Sequence, residues 1–155
     1  MKVLYKALAM GALAGMRSLS APALLSHVLL DQKNGALANT PLRFLQNKYV
    51  ANTLAGLAAT ELLGDKLPAA PDRTVVSSLL MRAASGAVVG AAVYGSRHRS
   101  LAEGAALGAA AAVAATYASF YLRKTLCEKT SLADPVIGAL EDALVLTGGL
   151  QAAKA

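Results

Sequence analysis

Residues 104–122 contain no charged side chain. A soluble helical bundle turns one charged face of each helix toward water, and a helix over this run would have none to turn. About 20 predominantly apolar residues are needed to cross the ~30 Å hydrocarbon layer of a bilayer, and this run is of that order. It sits in a chain that is 55% hydrophobic and 15% charged, whereas soluble domains carry about 25% charged residues. Low charge combined with long apolar runs is a membrane pattern and not a disordered one. An all-α integral membrane protein is therefore expected, with one transmembrane domain over residues 1–155.

Five apolar stretches are separated by polar breaks, at residues 4–30, 49–67, 74–95, 101–122 and 134–152. Backbone in lipid must satisfy its own hydrogen bonds, so Ala/Leu/Gly-rich runs of this length read as helices. The expectation is a bundle of about five transmembrane helices, with four to six as the range. Turn signals mark the breaks. Lys33-Asn34-Gly35 and Asn39-Thr40-Pro41 follow the first stretch, and residues 42–45 suit a short amphipathic piece at the interface. Pro68, Pro71 and Asp72-Arg73 close the second. Ser96-Arg97-His98-Arg99-Ser100 reads as a short basic hairpin, residues 123–134 as a charged loop, and Pro135 as the first turn of the last helix.

The N-terminal stretch also resembles a signal peptide: Lys2 and Lys6, then apolar residues 7–16, then Ala21-Pro22-Ala23. Arg17, directly after the apolar run, opposes that reading, and a retained first span is expected. Three Gly-x-x-x-Gly pairs, Gly11/Gly15, Gly86/Gly90 and Gly104/Gly108, place small residues on one helix face each. Such faces let backbones approach closely, so a tightly packed bundle is expected. A faint inverted repeat links the two outer segment pairs through Gly11-Ala12/Gly15 and Gly104-Ala105/Gly108.

The net charge is +6. The cations do not gather into one patch, and several flank apolar segments where they would meet lipid head groups. Nucleic acid is not an expected partner; the lipid bilayer is. With five spans, Lys2, Lys6, Lys66, Arg73, Arg123, Lys124 and Lys129 fall on one side, and Lys33, Arg43, Lys48, Arg97, Arg99 and Lys154 on the other. That is no clear positive-inside bias. Either the count is not five or the insertion signal is weak, with dual insertion as antiparallel dimers the sharpest form. A homo-oligomer is expected, because so few helices enclose little space.

Charges within apolar segments cost about 2.5–3.5 kcal/mol each at mid-helix on insertion scales, and normally pair or line water. The basic candidates are Arg17 and Arg82; the acids are Glu61, Glu141 and Asp142. Asp65, one turn after Glu61, and Lys66 sit nearer the surface, as does Glu103. Pairing Arg17 with Glu61 or Glu141 would neutralise much of the cost. Gly15-Met16-Arg17-Ser18-Leu19-Ser20-Ala21-Pro22 adds a glycine, two serines and a proline to the first segment. Proline inside a helix removes a hydrogen bond and kinks it. A broken helix beside a charge is a common way for transporters to build sites, and a plain proline kink is the simpler reading.

No Walker loop, HExxH, GxSxG or CxxC pair is present. His27 and His98 are far apart, and Cys127 is the single cysteine. No metal site, cofactor or catalytic residue is expected, and no enzyme. Two roles stay open for the charged residues: solute or ion binding in a small transporter or channel-like protein, or ion pairs that lock a membrane scaffold. In the second, swapping Arg17 and Glu61 should restore function. A lipid-modifying enzyme would need a nucleophile or metal that the sequence does not supply.

Gly15-Met16-Arg17-Ser18, Glu61-Leu62-Leu63-Gly64-Asp65-Lys66-Leu67-Pro68, and Asp134-Pro135-Val136-Ile137 with Glu141-Asp142 resemble the bacterial DUF4126 membrane family. The motifs cover most of the chain in order, and the Glu-x-x-x-Asp-Lys-x-Pro block is the most specific. The resemblance implies a multi-pass protein of the bacterial inner membrane with unassigned function. It transfers no substrate and no catalytic residue.

Overall fold

The first apolar segment is not one helix. In a computed structural model, which describes residues 2–32, 35–64, 76–129, 143, 145, 147–149 and 151, it is split into α1 (Lys2–Met16) and α2 (Ser20–Gln32). Two short 3₁₀ segments, Gly35–Leu37 and Pro41–Gln46, lead into α3 (Lys48–Gly64). Then come α4 (Val76–Gly95) and α5 (Leu101–Lys129). No strand occurs among the described residues. The fold is all-α.

Among the described residues, two helices are long and apolar enough to cross a membrane, α4 and the Leu101–Leu122 part of α5. At 1.5 Å per residue, α1 and α2 reach only about 22 and 20 Å. A single crossing over residues 4–30 is therefore corrected. So is the charged loop: α5 continues through residues 123–129 before the described helix ends. The expected last span, including Pro135, lies mostly outside the described residues.

Proline is not the cause of the break. Pro22 occupies the third position of α2, where a backbone N–H would have no partner within the helix anyway. Arg17, Ser18 and Leu19 form the break. The Arg17 N–H closes the last turn of α1 on the Leu13 carbonyl (2.8 Å), and the Leu19 carbonyl accepts the first bond of α2 from Ala23 (3.1 Å). Pro22→Ala should therefore bring none of the roughly 3 kcal/mol regained by removing a mid-helix proline. Thermal unfolding in detergent should place this variant within about 1 kcal/mol of the parent.

The three glycine pairs build the core. A methyl group added at Gly11 would stand 2.6 Å from the Gly108 carbonyl oxygen, and one at Gly15 would strike the Ala112 backbone. Gly11 with Gly108 and Gly15 with Ala112 makes α1 and α5 parallel. Gly86 meets Gly108 and Gly90 meets Gly104, which makes α4 antiparallel to α5. Gly108 thus serves both crossings. The small-residue faces read from the sequence are the contact faces. The proposed repeat is not symmetric, because the α1 segment is broken and the α5 segment is continuous.

Where α2 goes decides the topology. Leu37, just beyond it, packs against Gly95 at the end of α4, beside Leu101 at the start of α5. The same end holds the start of α1, for Lys6 lies close enough to Arg97 to feel its charge. So α1 runs inward, breaks at residues 17–19, and α2 returns to the end where α1 began. Lys6 and Arg97, assigned to opposite sides by a five-span count, lie at one end because this segment turns back. Arg99 belongs to the same turn, in which His98 adopts a left-handed backbone (φ 55°). Arg97 and Arg99 N–H groups both close on the Tyr94 carbonyl (3.0 Å each).

α2 packs chiefly on α3 and on the Pro41–Gln46 segment. That segment is amphipathic as expected: Leu42 and Leu45 are buried, and Arg43 and Phe44 are exposed. The Ser26 hydroxyl donates to the Leu45 carbonyl and ties the segment to α2.

Candidate functional site

Breaking a helix inside a bundle exposes two sets of orphan backbone groups. The last carbonyls of α1 carry a partial negative charge and the first N–H groups of α2 a partial positive one. Each set needs partners. The partners come from three other helices.

Glu61, in the last turn of α3, caps the start of α2. Its Oε1 accepts from the Ser18 N–H (2.9 Å) and the Ser18 hydroxyl (2.7 Å), and its Oε2 accepts from the Leu19 N–H (2.9 Å). Both carboxylate oxygens are engaged. A negative group at the positive end of a helix is favoured by the helix dipole as well as by the bonds.

Arg82, on α4, caps the end of α1. Its Nη1 donates to the Gly15 carbonyl and to the Met16 carbonyl (3.0 Å), and its Nε to Ser78 Oγ one turn earlier (3.3 Å). It is 4% exposed. Thr116 Oγ1 on α5 lies 2.9 Å from the Gly15 carbonyl and 2.8 Å from that of Ala112, and its single proton serves one at a time. The Ser85 hydroxyl donates to the Ser18 carbonyl. Each helix end thus faces a charge opposite to its own.

Arg17 stands at the break itself and is 2% exposed. Three of the expected charged residues, Arg17, Glu61 and Arg82, therefore converge on one place. Glu61 binds backbone N–H groups and a serine hydroxyl, and Arg82 binds backbone carbonyls and a serine hydroxyl. Swapping Arg17 and Glu61 cannot restore those contacts, because backbone N–H groups have no reversed form. Asp65, Lys66, Glu141 and Asp142 lie outside the described residues. Gly149 is described, and it packs on Leu24 of α2, with Leu13 of α1 nearby.

Ser85 and Thr116 are partners that the charge argument does not reach, although the sequence carries a signal for both. Ser85 is three residues from Arg82 and so shares its face. Thr116 extends the four-residue spacing of Gly104, Gly108 and Ala112. A polar residue on a stripe of small ones marks where a close-packed face meets an unsatisfied backbone group.

A cleft of about 230 Å³ opens beside the break. Ser18, Pro22, Phe44, Leu54, Ala84 and Ser85 are among its walls. The two serine hydroxyls donate away from it, to Glu61 and to the Ser18 carbonyl, which leaves an apolar surface. No group of three or more His, Cys, Asp or Glu side chains suited to a metal occurs among the described residues.

An all-α bundle wrapped around a charge-clamped helical hairpin is the class of protein that this geometry defines. The chain belongs to the DUF4126 family, a domain of unknown function, whose model matches residues 4–155. No curated protein and no solved structure matches it.

Proposed function

We propose that this chain is a small multi-pass protein of the cytoplasmic membrane, of transporter or channel type, whose working element is the α1–α2 hairpin. In this reading α4 and α5 cross the bilayer and α3 crosses with them. The last apolar segment is a further crossing, and α1–α2 enters and returns on one side. Side chains facing outward support a lipid environment: Leu57, Val76, Leu80, Met81 and Leu122 are 46–70% exposed. Tyrosines support it too. Tyr5 and Tyr49 are exposed toward one end and Tyr117 and Tyr121 toward the other, as in the aromatic belts of membrane proteins.

The observation that carries the reading is the break. Non-helical backbone at membrane depth is tolerated only where protein buries it or water lines it, and transporters place solute and ion sites at such breaks. A proton or small cation arriving at Glu61 competes with the three donors of the hairpin tip. Loss of that cap would free the tip to move, while Arg82 keeps its hold on α1. Glu141 and Asp142 extend the acidic set in this proposal, with Arg17 and Arg82 as counter-charges. The unit is a homo-oligomer, since one chain has few helices with which to enclose a path.

A second reading has one specific observation in its favour. Both Glu61 oxygens are already occupied, as in a purely structural clamp in a membrane scaffold. Flux separates the two. Purified protein in liposomes should dissipate a proton, sodium or potassium gradient faster than empty vesicles. Glu61→Gln that still elutes as a folded species should lose at least tenfold of that rate. If the parent protein carries none of the three ions, the scaffold reading replaces this one.

A further inference from the structure

We infer that the cleft beside the hairpin tip, together with the basic segment above it, is a binding site for an anionic phospholipid. The inference rests on the membrane reading and names a ligand that the reading does not. Two surfaces meet at Phe44. On one side lies the apolar cleft between α2, α3 and α4, with Phe44, Leu45, Leu54 and Val88 in its wall. On the other lies a polar pocket formed by Arg43, Phe44, Gln46, Asn47 and Lys48. One 3₁₀ segment and the first residue of α3 therefore present two cations at the mouth of an apolar slot.

The register of that segment produces the arrangement. At three residues per turn, Leu42 and Leu45 share the inner face. Arg43 and Phe44 are left outside, and Lys48 follows as α3 begins. Arg43 and Lys48 are both exposed. Phe44, 47% exposed, stands between the charges and the slot. Inside, the Ser18 and Ser85 hydroxyls are turned away, so nothing in the slot asks for a polar guest. Met81, 60% exposed, borders its open side. A slot open to the side suits an acyl chain. Two cations at its head suit a phosphate, since juxtamembrane cations contribute about 1 kcal/mol each toward anionic lipid.

The position adds a consequence for the hairpin. A chain in the slot lies against Ser18 and Leu19, the two residues that Glu61 caps. Occupancy would brace the tip alongside the Ser85 contact.

The test uses the full chain purified in detergent and delipidated. Thermal unfolding and native mass spectrometry are read with added phosphatidylglycerol, phosphatidylcholine or inorganic phosphate. Phosphatidylglycerol should raise the unfolding temperature and remain bound, phosphatidylcholine should do so far less, and phosphate alone should do nothing. The double variant Arg43→Ala/Lys48→Ala should bind phosphatidylglycerol about thirtyfold more weakly, two cations at about 1 kcal/mol each. Ala84→Leu, placed on an exposed position of the slot wall, should weaken binding of either lipid while the fold survives. Equal retention of the two lipids, or binding that neither variant disturbs, overturns the site and leaves the membrane reading standing. Protein that is soluble without detergent and binds neither lipid removes the membrane reading itself.

Discussion

Gly108→Ala will unfold the core of this protein at markedly lower temperature than the parent. Gly108 packs against Gly86 and Gly90 of α4 and faces Gly11 of α1. A methyl group there meets the Gly86 carbonyl, and backbone cannot swing aside as a side chain can. Overpacking ordinarily costs about 1–3 kcal/mol, and this position lies at the upper end because every atom the methyl group meets is α4 backbone. Gly56 supplies the control. Nothing lies within 4 Å of a methyl added there, so Gly56→Ala should gain up to about 1 kcal/mol from helix propensity. Unfolding of both variants by heat or denaturant in the same detergent checks the contrast. A Gly108→Ala protein as stable as Gly56→Ala would show that α4 and α5 do not cross at these glycines.

The second large effect is expected at Glu61. Glu61→Ala removes the acceptor of two backbone N–H groups and one hydroxyl at a part-buried place. Loss of an N-cap costs about 0.5–2 kcal/mol. Bonds to a charged group contribute about 1.5–3 kcal/mol each, and stranded donors add their desolvation. A loss of about 2–4 kcal/mol is expected, below the sum of three such bonds because the site is part-buried and water can replace some of them. Glu61→Gln should fall between, because its amide oxygen can still accept from Ser18 while its NH₂ group faces the Leu19 N–H. Hydrogen exchange localises the effect: the Ser18 and Leu19 amides should exchange faster, with the α4–α5 crossing unchanged. Uniform acceleration through the bundle would mean that Glu61 supports the whole fold and not the hairpin tip.

These two sites differ in how far they were legible beforehand. The Gly-x-x-x-Gly pairs needed only helical periodicity, because spacing of four sets both glycines on one face whatever the partner. The existence of α3, α4 and α5 was legible from length and apolar content for the same local reason. Arg17, Glu61 and Arg82 stood out because a charge in an apolar run needs a partner. Charge alone suggested Arg17 with Glu61 or Glu141; Glu61 instead binds the Ser18 and Leu19 N–H groups, and Glu141 lies outside the described residues.

The hairpin lay beyond local rules. Residues 4–30 have the composition of one span, and their Pro22 reads as a kink. The Ser20-Ala21-Pro22 start of α2 is an N-terminal signal in hindsight, but a helix that continues past it would show the same residues. What decides is whether other helices can satisfy five backbone groups at residues 15–19. Glu61, Arg82, Ser85 and Thr116 do so from 42 to 101 residues away. The sequence by itself determined the helical segments, their small-residue faces and the buried charges, since each follows from residues within a turn or two of one another. Only the tertiary structure decided the reversal at residues 17–19 and the partners that stabilise it, because the cost of opening a helix is offset by side chains that the chain's order does not bring together.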